Sequence, residues 1–216
     1  MRDSRDPRRA VIATALDMNA LGINRGKSGN VSARIDTGFL ITPSGMPYAD
    51  ITPDDVVAMG LDGSADARRK PSSEWRFHRD IYASRDDVHA IVHAHSPFAT
   101  TLACLDRGIP AFHYMIAVAG GTDIRCASYA TFGTQQLSDV ALQALDGRKA
   151  CLLAHHGMIA LGNSLSAALA LAVEVEGLAE MYWRALQIAE PTVLSAEEMA
   201  QVLEKFAGYR PGGVRR

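Results

Sequence analysis

The segment HAIVHAHSP (89–97) carries two histidines, His93 and His95, two positions apart at the end of an apolar run. In a β-strand, residues i and i+2 face the same way. Both imidazoles would then point together, about 6–7 Å apart at the backbone, and could converge on one cation. A second pair, His155-His156, follows the apolar run CLLA and precedes Gly157. Adjacent strand residues face opposite ways, so at most one of these two joins the first pair unless a turn has begun. Three imidazoles with an open fourth position make a catalytic zinc pattern. By itself an HxH pair is weak evidence for a metal, since such histidines are more often hydrogen-bonded or exposed.

Glu74 stands in PSSEWRFH (71–78) and reads as a first-turn helix glutamate favoured by the helix dipole. His78, four residues on, shares that helix face. The two could bind a metal, but a surface histidine is the plainer reading. Three further stretches, SGN (28–30), TPSG (42–45) and PSS (71–73), are small, rich in hydroxyls or amides, and set at turns or a helix start. Exposed backbone N–H groups and short hydroxyls there can cradle an anion. Each alone is more often a turn or a cap.

These groups need elements to hold them. An amphipathic helix is expected over about 7–21, ending near Gly22. SGNVSARI and GFLITPSG read as short strands, ITPDDVVAM as a strand or loop, and LDGSAD as a turn. PSSEWRFHRDIYASR reads as a helix capped by Ser72 or Ser73. HAIVHAHS is a strand, and ATFGTQQLSDVALQAL is a helix after a turn at a glycine. KACLLAHHGMIAL holds a strand leading to a turn at Gly157. SLSAALALAVEVEGLAEMYWRALQIA is a long helix, and SAEEMAQVLEKF opens with a capping box of Ser195 and Glu198. Helices and strands are interleaved throughout, which points to a layered α/β architecture.

The bulk properties narrow the function class. At 216 residues the chain reads as one domain with a substantial core. A net charge near −2 supplies no global field for nucleic acid or an anionic membrane. The longest apolar run, Ala167–Val173, stops at Glu174 and is too short to span a bilayer. The N-terminal MRDSRDPRRA lacks an apolar signal-peptide core. Cys104, Cys126 and Cys151 are odd in number and far apart, and read as reduced, buried thiols of a cytoplasmic protein.

As a set, the residues resemble a known family. GKSGNVSAR, LITPSGMPY, KPSSEWRFH, AIVHAHS, IPAFHYMIAVAGGTDIRCASYATFGTQQLS, LLAHHGMIA and LSAEEMAQVLEKFAGY span nearly the whole chain. In that order they resemble the zinc-dependent class II aldolases of the aldolase/adducin family, and within it the fuculose-phosphate-aldolase-like branch. The resemblance implies a single domain over 1–216, a sandwich with a central, largely antiparallel β-sheet flanked by helices. It implies one zinc per subunit on His93, His95 and His156, with Glu74 as the acid/base acting on carbon. Asn30, Ser44, Gly45, Ser72 and Ser73 resemble the phosphate cradle. Tyr114 resembles a tyrosine that reaches into a neighbouring subunit's site. Phe206 and Tyr209 resemble mobile residues of a C-terminal tail, from about 207, that close over the substrate.

The implied reaction is reversible cleavage of a ketose 1-phosphate, like L-fuculose 1-phosphate, to dihydroxyacetone phosphate and an aldehyde. The implied assembly is a homotetramer with sites at subunit interfaces. Aldolases for 5-deoxyribulose 1-phosphate or 5-methylthioribulose 1-phosphate would use the same metal and phosphate sites. A sugar-phosphate 4-epimerase is disfavoured because AGGTDIR stands where such enzymes carry a GTTHAD-like segment. A non-catalytic adducin-like module would not need the three histidines and Glu74. Two features depart from the family pattern: Lys27, where a small residue is common, and the ending RPGGVRR.

Overall fold

In the computed structural model, which describes residues 6–208 apart from Ala67, eight strands form one sheet. They are β1 (Asn30–Ile35), β2 (Gly38–Ile41), β3 (Val57–Met59), β4 (Ala65–Asp66), β5 (Ala90–Ala94), β6 (Cys126–Ala127), β7 (Ala150–Leu153) and β8 (Gly157–Gly162). Their spatial order is β4-β3-β2-β1-β5-β8-β7-β6. Every neighbouring pair is antiparallel except β6 with β7. The chain thus forms the largely antiparallel, helix-flanked sheet of a layered α/β domain.

Period-two alternation sorts the strands into two cores. On β5, Ala90, Val92 and Ala94 enter a core shared with α1 (Pro7–Ala20), α3 (Pro97–Ala103) and α5 (Leu165–Leu186). Ile91 enters the opposite core, shared with α2 (Trp75–Ser84) and α4 (Gln135–Ala144). β7 and β8 repeat the pattern: Leu152, Met158 and Ala160 go one way, Cys151, Ile159 and Leu161 the other. His93 has the parity of Ile91, so its ring faces α2 and meets Phe77 edge-on.

Local chemistry sets the helix ends. Asp6 caps α1 by accepting from the Arg8 N–H, and Pro7 fills the first helical position. Gly22, with φ +76°, follows its last residues as a left-handed terminator. Ser195 and Glu198 form the reciprocal capping box at α6 (Ala196–Gly208). Seven buried residues, from Ala168 to Tyr182, line one stripe of α5.

Several expectations are corrected. Helix α2 starts at Trp75, and Glu74 is its cap residue rather than part of the first turn. PSS forms a turn before it, with the Trp75 N–H donating to the Ser72 carbonyl. The reversal after β7 occupies 154–156, so Gly157 opens β8 instead of making the turn. Among the thiols only Cys151 is buried; Cys126 is half-buried, and Cys104 is exposed at the end of α3. LDGSAD ends in β4, and residues 114–119 form a 3-10 helix.

Candidate active site

Three loops meet where β5 ends and β8 begins. β5 delivers His93, and His95 follows one residue past the strand. The turn between β7 and β8 delivers His156. His155 adopts a left-handed backbone, φ +54°, and its side chain is half exposed, 3.8 Å from Asp106. That turn separates the neighbours, sending His156 inward.

The three rings stand almost symmetrically. Their centroids are 4.9, 4.8 and 4.9 Å apart, with interplanar angles of 76°, 74° and 76°. Glu74 closes the group: its Oε2 lies 3.1 Å from His93 Nε2 and its Oε1 2.9 Å from His156 Nε2. One donor atom from each of the four residues lies within 4.8 Å of all the others.

The donor set fits a divalent metal. His93 Nδ1 donates to the Met158 carbonyl at 2.9 Å, which leaves the Nε2 lone pair facing inward. That Nε2 is 3.0 Å from His95 Nε2, a crowding of nitrogens that a shared cation relieves. Glu74 Oε1 is buried without a hydrogen-bond partner of good geometry, although His156 Nε2 stands 2.9 Å from it. An orphaned carboxylate oxygen among inward lone pairs is a cation's environment, and three imidazoles suit zinc-like ions.

The electrostatics couple the four groups. Burial alone would raise the Glu74 carboxyl, but His93 and His156 beside it hold it well below the usual carboxylate range. Burial would lower His93, yet Glu74 raises it overall. His95 is pushed down to about 3 by burial and by the other two imidazoles, so its ring is neutral at ordinary pH and its lone pair is available to a cation. His78 is also pushed down to about 3 by complete burial. It is not the surface residue expected from its helix position: its ring is enclosed by Ser32, Asn30 and Phe77.

The phosphate-cradle stretches come together beside this cluster. Pro43 and Pro71 form an isolated antiparallel bridge, with the Ser44 N–H donating to Lys70 and the Ser72 N–H to Thr42. Lys27 Nζ donates to the Gly45 carbonyl at 2.7 Å, tying the SGN loop to TPSG. Gly29 is pressed so close to the His93 carbonyl that a Cβ would sit 2.6 Å from it. Asn30 is turned inward, its amide engaged by Glu74 and His78. Ser73 and Ser28 line a cavity of about 270 Å³ with Glu74, His95 and His156.

Tyr114 and Phe206 do not line that cavity. Tyr114, half exposed, shares a separate cavity of about 540 Å³ with Met115, Val202, Lys205 and Phe206. Tyr209 lies outside the described residues. Two exposed aromatics that sequence reasoning missed, Tyr129 and Phe132, stand at the histidine cavity's rim. The signal available was aromatic residues in a polar turn ending at Gly133, where a buried role is unneeded. Asn24 and Tyr48 were also missed. Tyr48 donates to the Gly29 carbonyl, and the His95 N–H donates to Asn24 Oδ1.

Comparison with known proteins adds independent findings. Residues 9–183 match the family model of the Class II Aldolase and Adducin N-terminal domain. The chain is 61% identical over 202 residues to the 5-methylthioribulose-1-phosphate/5-deoxyribulose-1-phosphate aldolase of Rhodospirillum rubrum, covering 94% of this chain and 91% of that one. It is 52% identical over 202 residues to the L-fuculose phosphate aldolase of Escherichia coli K12, covering 93% and 94% respectively. A solved structure of an L-fuculose 1-phosphate aldolase superposes with a TM-score of 0.91 at 42% identity, covering 94% of this chain and 97% of that one.

Proposed function

Because the chain belongs to the class II aldolase and adducin family and is an aldolase, we propose that it cleaves a ketose 1-phosphate reversibly to dihydroxyacetone phosphate and an aldehyde, using one zinc per subunit. The observation that carries the reading is the convergence of three imidazoles and Glu74 at one point beside the bridged TPSG and PSS loops. His93, His95 and His156 hold the metal. Zinc, when bound, supplies positive charge that offsets the negative charge developing on the ketose fragment.

The chain's own groups do the rest. Asn30, Ser44, Gly45, Ser72 and Ser73 form the phosphate cradle, and the Asn30 side chain also donates to Glu74. Tyr114 takes the proton from the C4 hydroxyl as the C3–C4 bond breaks, and Glu74 delivers a proton to the carbanionic carbon. The buried strand ends exclude competing water and strengthen these interactions. Phe206 and Tyr209 close over the substrate. Tyr114 and Phe206 line a cavity apart from the histidines, which supports a site shared between copies, in a homotetramer. Three free cysteines suit the reducing cytoplasm.

The phosphate end is common to the relatives, so the aldehyde end decides the substrate. The higher identity to the Rhodospirillum rubrum enzyme favours 5-methylthioribulose 1-phosphate and 5-deoxyribulose 1-phosphate alongside L-fuculose 1-phosphate. Incubating the zinc-loaded protein with these three ketose phosphates and identifying released aldehydes tests the reading. No cleavage of any of them would sink it.

Sharing of sites has its own test. Tyr114→Phe and Glu74→Gln chains, refolded together, should regain activity above either parent, since some interfaces would pair an intact Tyr114 with an intact Glu74. No gain on mixing, or full activity in a strict monomer by sedimentation, would show that each chain carries a complete site.

A further inference from the structure

We propose that a one-directional chain of buried hydrogen bonds, Tyr82 to Ser32 to His78 to Asn30 to Glu74, fixes the Glu74 carboxylate and reserves its Oε1 for proton transfer, making His78 and Ser32 positioning residues. The inference rests on the role of Glu74 proposed above. Consecutive links measure 2.8 Å (Tyr82 Oη to Ser32 Oγ), 2.7 Å (Ser32 Oγ to His78 Nδ1), 2.5 Å (His78 Nε2 to Asn30 Oδ1) and 2.9 Å (Asn30 Nδ2 to Glu74 Oε2). Tyr82, Ser32 and His78 are fully buried, and Asn30 and Glu74 nearly so.

The direction follows from the carboxylate end. An ionised carboxylate only accepts, so Asn30 must present its NH2 to Glu74. Its carbonyl oxygen then faces His78, which must carry its proton on Nε2. In a neutral imidazole the other nitrogen is then an acceptor. Ser32 must therefore donate to Nδ1, and its oxygen accepts from the Tyr82 hydroxyl. Reversing any link sets acceptor against acceptor in a site closed to water, at the cost of an unpaired buried group. Each link polarises the next, and no proton travels along the chain: every donor stays a donor.

The consequence falls on the two carboxylate oxygens. Oε2 is held by Asn30 and lies 3.1 Å from His93 Nε2, whereas Oε1 faces His156 Nε2 at 2.9 Å without a hydrogen bond of good geometry. The free oxygen is the one that carries the mobile proton, and the chain keeps the carboxylate from rotating to exchange them. α2 and its cap residue supply Glu74, His78 and Tyr82 at a spacing of four, and β1 supplies Asn30 and Ser32 at the strand spacing of two. The two periodicities interlock into a ladder between a helix face and a strand face.

Two measurements on the zinc-loaded, full-length protein test this. Nitrogen-15 NMR of wild-type imidazoles should show His78 neutral, protonated on Nε2 with Nδ1 bare. A proton on Nδ1, or on both nitrogens, overturns the proposal without any mutant having to fold. The second measurement is deuterium exchange into dihydroxyacetone phosphate. His78→Leu should lower the exchange kcat by about tenfold or more at unchanged KM and zinc content, a loss of the size seen when partners that orient site residues are removed. His78→Gln, whose amide can still donate to Asn30, should recover most of that loss. Ser32→Ala should fall between them. Equal kcat per bound zinc in His78→Leu and wild type overturns the positioning role. If wild-type protein itself shows no exchange, the role of Glu74 fails instead, and the NMR result still decides the direction of the chain.

Discussion

His155 and His156 are neighbours with different surroundings, and a single backbone angle separates them. The left-handed φ at His155 turns its ring out toward Asp106 and brings His156 to within 2.9 Å of Glu74. His156→Ala should therefore lower metal content and activity together, whereas His155→Ala should keep its metal. Elemental analysis with the reverse result would reassign the ligand. The HxH pair and the divergence of the second pair could be read directly, because two-residue periodicity is a local property of strands. Glu74 calls for a different experiment. Glu74→Gln keeps a planar side chain that Asn30 can still hold, so fold and zinc should persist while proton exchange on dihydroxyacetone phosphate falls by about 10²–10⁴. Wild-type exchange rates in that variant, followed by NMR, would remove Glu74 from the chemistry. The burial of His78 could not be read from its position. Ser32 and Asn30 lie 46 and 48 residues away in the chain, and their contact exists only once α2 packs across β1.

Between elements, one carboxylate ties the segment that follows β5 to the long helix. Glu176 on α5 accepts from the Ser96 hydroxyl at 2.6 Å and from the Phe98 and Ala99 N–H groups at 2.8 and 2.9 Å. These are first-turn donors of α3, which no neighbour within the helix can satisfy. α3 follows β5 directly after His95 and Ser96, so this bond set anchors the segment carrying His95. Glu176→Ala should cost about 1–3 kcal/mol in urea denaturation, by orphaning those donors. It should also weaken zinc binding in a chelator competition. Unchanged stability would show that water replaces the carboxylate without loss. The helices α1, α5 and α6 could be read from caps and apolar stripes, since both signals sit within a turn or two. The cap on α3 could not, because its acceptor stands about 80 residues downstream. The two-residue strands β4 and β6 were also unreadable: so short a run carries no period, and the sheet alone defines it.

Taken whole, the molecule buries groups whose ionisation it resists, and this sets its response to acid. His78 is held down to about 3 in the fold, against an ordinary value of 6.5. Between those values the unfolded chain binds a proton that the folded chain refuses, so stability falls as pH drops through the window. The slope from this one group approaches about 1.4 kcal/mol per pH unit. His78→Gln, which cannot titrate, should lose that part of the slope between pH 6.5 and 4 in urea midpoints measured on metal-free protein. Parallel slopes in the two proteins would exclude His78 as the source. The two ends of the sheet bear on a different matter. Each edge strand is only two residues long, and the charged Arg68, Arg69 and Lys70 follow one of them closely. So short a row of free amides and carbonyls offers little template for another chain's main chain to zip onto. Contacts between copies of this protein are left chiefly to side chains on loops and helices. Partner choice is then open to tuning one residue at a time, and a misplaced contact does not propagate into a fibre.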